Sequence, residues 1–314
     1  MSDFSTQPMS KSTEILVVGG GPAGATAAMY TARAGRPTVL LAGKGSAKLG
    51  IGYTIENYPG QEPINSLELL EKFRAQAGRF GAELVAEEAI DFNLAGPIKY
   101  VVTRERLYEA KAVILATGKP LAKERMIPGE ERLVGQGVSY CSTCDGPLYR
   151  GLDVAAVGAT TEAAEEVLAL DSLGCRVHWI PDEPKPRSLP DVILEELRRT
   201  KVVVHERARV KEVLGEKSVE SLLLETDGMQ ETLAAAALFV FRSSLTSPLF
   251  VKSGLKLDHR QCLAVDRQQR TNLEGVFAAG DITCGGMQVV TAAGEGVVAG
   301  LQAILYVRKL SQPA

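Results

Sequence analysis

Residues 14–24 read EILVVGGGPAG, an apolar run that breaks into glycines and opens into the Ala-rich stretch ATAAMYTARAG of residues 25–35. A continuous apolar run of this length, bounded by glycine, marks a strand buried on both faces. Gly19, Gly21 and Gly24 hold the G-x-G-x-x-G spacing. The first glycine allows a tight turn, the second lets backbone touch a pyrophosphate, and the third lets helix and strand pack closely, with the phosphate on the helix N-terminus. The helix ends at Gly35, and PTVLLA at residues 37–42 supplies a second buried strand. The alternative reading is a purely structural glycine turn. No acidic residue ends the second strand, which runs Leu40-Leu41-Ala42-Gly43, so the group that binds a ribose hydroxyl in NAD sites is missing.

The same unit occurs again in LDVAAVGATTEAAEEVLALDSLGCRVHWI, residues 152–180: strand, turn, helix, strand. Between the two units lie a helix from about Ser66 to Phe80 and a strand KAVILATG at residues 111–118; after them come a Pro-rich loop (residues 181–190) and a helix near 191–200. The last third holds GVFAAGD (275–281) and ends in an apolar helix over 289–310. Strands alternating with helices predict an α/β fold with parallel sheets covered on both faces. We read two domains, 1–118 with 246–314 and 119–245, with hinges near 118–123 and 243–248 where Gly118 and Ser243-Ser244 are candidates. Residues 1–13 are polar and read as a loose tail, with neither signal-peptide nor transit-peptide pattern.

At 314 residues, 45% hydrophobic and 23% charged, the chain is long enough for two ordinary cores. A net charge of −3 gives no electrostatic case for nucleic acid or membrane partners, and LAAAALFVF (233–241) is far too short to cross a bilayer. The five cysteines (141, 144, 175, 262, 284) are few and odd in number, which suits a reducing compartment, here the cytoplasm.

Cys141 and Cys144, two residues apart in CSTCDG, can form a short disulfide that exchanges at neutral pH if a neighbour lowers the thiolate pKa. A zinc half-site is the structural alternative. Its other half would need Cys175 and His178, which lie in a strand-like run where residues three apart face opposite ways, so no metal is expected. Asp281, after the strand of GVFAAGD, would reach the ribityl or pyrophosphate part of FAD; as an N-cap it would serve the following helix.

GGGPAG, TIENYPG (54–60), ATG (116–118), IPGEE (127–131), GVSYCSTCDG (137–146), GVFAAGD and QVVTAAGEG (288–296) follow one another in the order found in low-molecular-weight thioredoxin reductases, which the whole chain resembles. The resemblance implies a homodimer of protomers with two Rossmann-like three-layer dinucleotide-binding domains, the second inserted in the first. It implies FAD lined by Gly19, Gly21, Pro22, Ala23, Gly24, Asn57, Ala89, Ala116, Thr117, Gly280, Asp281, Gln288 and Val289. Met287 stands where many members have arginine. It also implies Cys144 as the thiolate beside the flavin, Cys141 as attacker of the partner disulfide, and Asp145 as the acid for a departing thiolate. Taken by itself, Asp145 also reads as a turn residue before Gly146-Pro147.

Two departures bear on the electron donor. Where the family's second cradle is G-x-G-x-x-A, residues 158–163 read GATTEA, so Thr160 sits where pyrophosphate needs bare backbone and Glu162 adds negative charge. Where NADPH-using members carry His-Arg-Arg, this chain has Pro181-Asp182-Glu183, with Lys185 and Arg187 nearby. These changes argue against NADPH and resemble the pyridine-nucleotide-independent branch, which includes ferredoxin-linked flavin thioredoxin reductases and diflavin-linked disulfide oxidoreductases. The leading expectation is an FAD-dependent disulfide reductase that passes electrons from ferredoxin through Cys141/Cys144 to a thioredoxin-like disulfide. Arg198, Arg199, Lys201, Arg207, Arg209 and Lys211 could meet an acidic ferredoxin, or form an ordinary solvated helix end and strand edge. Alternatives are an NADPH thioredoxin reductase, an oxygen-using dithiol oxidase, and a flavin-binding interaction protein whose second cradle holds something else, a second flavin included. Intact CSTCDG argues against a redox-inert module.

Overall fold

The computed structural model describes residues 9–43, 48–118, 126–181, 189–241 and 248–311. The chain divides into two compact units, Met1–Leu121 with Leu245–Ala314, and Ala122–Ser244. Both are α/β and Rossmann-like, and the second is inserted in the first.

The first unit opens with β1 (Met9–Val18), α1 (Pro22–Arg33), β2 (Thr38–Leu41), β3 (Thr54–Ile55), β4 (Ile64–Asn65) and α2 (Ser66–Arg79), then β5 (Glu83–Val85), β6 (Asp91–Asn93), β7 (Lys99–Val102) and β8 (Arg106–Leu115). The inserted unit contains β9 (Val138–Ser139), α3 (Ser142–Asp145), β10 (Asp153–Val157), α4 (Thr161–Ser172), β11 (Arg176–Ile180), α5 (Asp191–Arg199), β12 (Val203–Val204), β13 (Arg209–Leu214), β14 (Ser221–Thr226), β15 (Met229–Ala234) and β16 (Ala237–Val240). The chain then returns to the first unit as α6 (Pro248–Lys252), β17 (Val276–Ala278) and α7 (Val289–Leu310).

The large sheet runs β5-β2-β1-β8-β7-β6, with β17 pairing the C-terminal half of β8 in parallel. Its strands bury both faces: Ile15 and Val17 join one apolar cluster with the alanines of α1, while Leu16 and Val18 join another with Phe92, Tyr108 and Phe250. That two-sided burial explains the uninterrupted ILVV run. The inserted unit repeats the plan in the sheet β12-β11-β10-β16-β9, all parallel, beside an antiparallel β13-β14-β15 sheet.

One expectation is corrected. Met9–Thr13, read as part of a loose tail, belong to β1 and pair in parallel with Arg106–Ala110 of β8. The strand projects past the buried core, so the side chains of Ser10–Thr13 are polar while the backbone is still paired: Ser10 donates to Glu109 at 2.8 Å and Lys11 pairs with Glu83. The apolar helix expected over 289–310 is α7, which by length and composition alone could cross a membrane. It lies instead along α1, where Gly296 and Gly300 let its backbone press on Ala23 and Ala27; a Cβ at Gly296 would stand 2.2 Å from the Ala23 carbonyl oxygen. Of the hinge candidates, Gly118 has φ +66, and Ser243-Ser244 lie outside the described residues.

Candidate functional site

The first cradle is built by contact. Gly19 has φ +112, and a Cβ there would lie 2.2 Å from the Ala116 carbonyl oxygen and 2.8 Å from Thr117 N. A Cβ at Gly24 would lie 1.8 Å from the Gly19 carbonyl oxygen, so α1 can start only against a bare turn. Gly21 differs, because nothing lies within 4 Å of where its Cβ would point. Pro22 occupies the first turn of α1, no side chain caps that end, and its first turn carries no acid. Unsatisfied N–H groups and the helix dipole therefore face open space, the arrangement a phosphate anion needs. Arg74 of α2 donates to the Gly20 carbonyl at 3.0 Å and holds the turn from the side.

Gly280, with φ +83, abuts Ala23: an added Cβ would be 2.9 Å from the Ala23 side chain. This contact sets Asp281 and its 3₁₀ turn (Asp281–Thr283) next to Ala23 of the cradle, whose Gly19 rests on Ala116 and Thr117. Asn57 and Gln288, 231 residues apart, join through a 3.2 Å hydrogen bond from Asn57 Nδ2 to Gln288 Oε1. Val289 starts α7 and packs on the Leu49, Ile55, Ile64, Leu69 and Leu70 cluster, whereas Ala89 packs under the opposite face of the large sheet with Leu94 and Phe250.

Glu295, quoted within QVVTAAGEG but given no role by the sequence, proves to hold this loop. Its Oε2 accepts from Gly280 N–H at 2.6 Å and from the Thr283 hydroxyl at 3.0 Å. The lone acid of α7 was the signal that could have found it. Burial raises its carboxyl above the ordinary value of 4.5, and the Gly280 and Thr283 donors offset part of the rise. The folded state therefore holds this proton more tightly than the unfolded one, so stability falls as pH climbs from 4.5 through the raised value. Glu295→Gln, which keeps an acceptor for Gly280, is expected to flatten that slope in a melting-temperature series against pH.

In the inserted unit Cys141 and Cys144 form a disulfide with Cα atoms 5.4 Å apart. Cys141 is the N-cap of the short α3, and Cys144 N–H donates to its Sγ at 3.1 Å. Both cysteines are half-buried. A backbone N–H aimed at Cys141 Sγ favours a thiolate there once the bond is reduced. Asp145 Oδ2 accepts from Ser139 Oγ at 2.5 Å, and the same Ser139 oxygen accepts Cys141 N–H at 3.2 Å. Asp145 is thus fixed beside the pair. Tyr140 donates to Glu130 Oε1 at 2.9 Å, and burial with that carboxylate pushes its phenol far above the ordinary range. Cys175 is buried with Sγ toward the Gly146 carbonyl, burial raises its thiol, and it takes no part. Among the described residues no cluster of His, Cys, Asp and Glu could hold a metal.

The second cradle is closed on itself. Thr160 is buried and its Oγ1 accepts Ala163 N–H at 3.2 Å, so the side chain caps α4 where a phosphate would sit. Glu162 adds an acid to the same first turn, and the Gly158 carbonyl accepts from Trp179 Nε1 at 2.8 Å. Thr160→Ala should cost about 1 kcal/mol in denaturant unfolding of the protein, the usual worth of an N-cap. Asp182, Glu183, Lys185 and Arg187 lie outside the described residues. Of the six cations over 198–211, Arg199, Arg207 and Lys211 are paired with Glu195, Asp227 and Glu225, which reduces the basic surface; Arg198, Lys201 and Arg209 remain exposed.

The family model for pyridine nucleotide-disulphide oxidoreductases matches residues 13–296. A thioredoxin reductase of Peptoclostridium acidaminophilum is 34% identical over 307 residues, covering 94% of this chain and 96% of that protein. The crystal structure of thioredoxin reductase from Streptococcus pyogenes superposes with TM-score 0.83 at 30% identity, covering 95% of this chain and 99% of that one. A ferredoxin-flavin thioredoxin reductase from Clostridium acetobutylicum is also 30% identical, with TM-score 0.53 over 96% of this chain and 100% of that one.

Proposed function

The chain belongs to the pyridine nucleotide-disulphide oxidoreductase family, as a disulfide oxidoreductase of thioredoxin reductase type, and from that premise we propose that its electrons arrive from a protein donor of ferredoxin type rather than from NADPH. They pass through FAD and Cys141/Cys144 to a thioredoxin-like disulfide. One observation carries the donor reading: Thr160 fills the phosphate end of α4 with its own hydroxyl, whereas the equivalent end of α1 is open. The likeness to a ferredoxin-flavin enzyme and the exposed Arg198, Lys201 and Arg209 support an acidic protein donor. The proposed setting is the cytoplasm.

The open face above Gly21 and the uncapped α1 terminus fit the pyrophosphate of FAD, with Asp281 beside it. Bound there, FAD would supply a carrier able to collect single electrons and hand on a pair. The residues of the inserted unit do the rest. Cys141 thiolate attacks the partner disulfide, one partner sulfur leaves as thiolate, and a mixed disulfide forms. Cys144 thiolate then attacks Cys141 Sγ, restores the internal disulfide and releases the partner as a dithiol. Asp145, positioned by Ser139, is the proposed proton source for the departing sulfur.

The test is anaerobic reduction of the purified holoprotein, watching its visible flavin band on adding NADPH, NADH and reduced ferredoxin in turn. Rapid bleaching by ferredoxin alone supports the proposal. Bleaching by NADPH at a turnover-competent rate would replace it with the second reading, an NADPH thioredoxin reductase, which the plain names of its relatives favour.

A homodimer is part of the proposal. Val290, Leu301 and Leu305 are each more than two-fifths exposed along one helix, α7, and an apolar stripe of this kind asks for a partner surface. Leu301→Glu combined with Leu305→Glu is expected to sediment as a monomer where the unmodified protein sediments as a dimer.

A further inference from the structure

Besides the buried, free Cys175, two cysteines lie outside CSTCDG and outside every step above. Cys262 and Cys284 form a second disulfide, Cα atoms 5.9 Å apart, a spacing that such a bond accepts. Cys262 is fully buried and closes a tight turn in which Asp258 Oδ1 accepts N–H from Arg260 and from Cys262, each at 2.9 Å. Cys284 is half-buried and follows directly on the Asp281–Thr283 turn, with φ +58 and its N–H toward the Asp281 carbonyl at 3.1 Å. Next to the bond, Leu263 N–H donates to the Ile282 carbonyl at 2.9 Å. The loop that carries Asp281 is therefore gripped on one side by Glu295 and tied on the other by a covalent bond.

We propose that Cys262–Cys284 is a redox-responsive clamp on this loop, closed for flavin retention and opened by a reduced dithiol protein of thioredoxin type. The proposal rests on the reading of Asp281 as a flavin contact. The reductant is the product of the proposed activity, so opening is feedback: a pool of reduced product loosens the flavin and slows its own formation. In the exchange, a dithiol thiolate attacks Sγ of Cys284, the less buried residue of the pair, the Cys262–Cys284 bond breaks, and Cys262 leaves as thiolate and takes a proton. The second thiol of the reductant resolves the mixed disulfide, releasing Cys284 to be protonated. Two electrons and two protons pass to the pair, and the reductant departs as a disulfide. The oxidised partner, which is the enzyme's substrate, closes the clamp by the reverse steps.

The test uses holoprotein carrying Cys141→Ser and Cys144→Ser, so that this pair is the only disulfide left. Thiol alkylation and peptide mapping are run with and without dithiothreitol or reduced thioredoxin, while flavin release is followed by fluorescence on dilution. Cys262 and Cys284 are expected to resist alkylation until reductant is added, and flavin then to leave roughly tenfold faster, as a loop freed of its cross-link would allow. Cys262→Ala should give the fast rate with or without reductant. The same reduction of the protein with Cys262 and Cys284 intact gives the answer even if that variant does not fold. Alkylation of both cysteines without reductant overturns the pair, and an unchanged release rate after its opening overturns the clamp. Asp281→Ala that holds flavin as tightly as before would instead remove the underlying flavin reading, with the mapped pair still in place.

Discussion

Replacing Cys144 by serine is expected to abolish turnover, by on the order of a thousandfold or more, and to leave a covalent complex with the protein substrate. Cys141 can still attack, because the N–H that favours its thiolate comes from the backbone of residue 144 and survives the substitution. Nothing then resolves the mixed disulfide. A band of summed mass on a non-reducing gel, lost on adding reductant, would report it; Cys141→Ser should give neither turnover nor complex. Full activity in Cys144→Ser would move the chemistry away from this pair altogether.

The second large effect separates ligand from scaffold within one motif. Gly21→Val should weaken flavin binding by on the order of a hundredfold or more, because its side chain would occupy the approach that bare backbone leaves to pyrophosphate. The fold should tolerate it, since no atom lies within 4 Å of the new Cβ and φ at this position is −77. Gly24→Val meets the Gly19 carbonyl oxygen at 1.8 Å and should destabilise the unit itself, by about 3 kcal/mol or more. Flavin-to-protein absorbance ratios alongside melting of the apoproteins distinguish the two. Equal melting of both apoproteins would show that the cradle is not packed as the glycines imply.

Local pattern carried much of this architecture. Both strand-turn-helix-strand units, the helix from Ser66, the C-terminal helix and the cysteine pair announce themselves within short windows, because two-sided burial and tight turns leave few residue choices. Other features have no local signature. Ser10–Thr13 are polar because the strand outruns the core, and only its pairing with β8 makes it a strand. Cys262 and Cys284 are 22 residues apart, and a count of five cysteines concealed that two pairs and one buried thiol stand behind it. Asn57 meets Gln288, and Glu295 meets Gly280, only after the chain has closed on itself. Thr160 was readable as an obstacle to phosphate, but its hydrogen bond from Ala163 N–H, which turns an obstacle into a substitute, depends on how the chain turns into α4.

The seat of the first helix on the last has a consequence for how the protein is made. The inserted unit is one continuous segment, Ala122–Ser244, whose described strands and helices all precede β17 and α7 in the chain. The glycine cradle is translated first yet waits for the last elements of its unit, since Gly280 and Gly296 must close on Ala23 before its shape is complete. Domains fold as they emerge, so the unit bearing Cys141 and Cys144 is finished while its flavin-binding companion is still open. Cofactor loading therefore waits for α7, and the Cys141/Cys144 pair is in place before the cradle that serves it is complete.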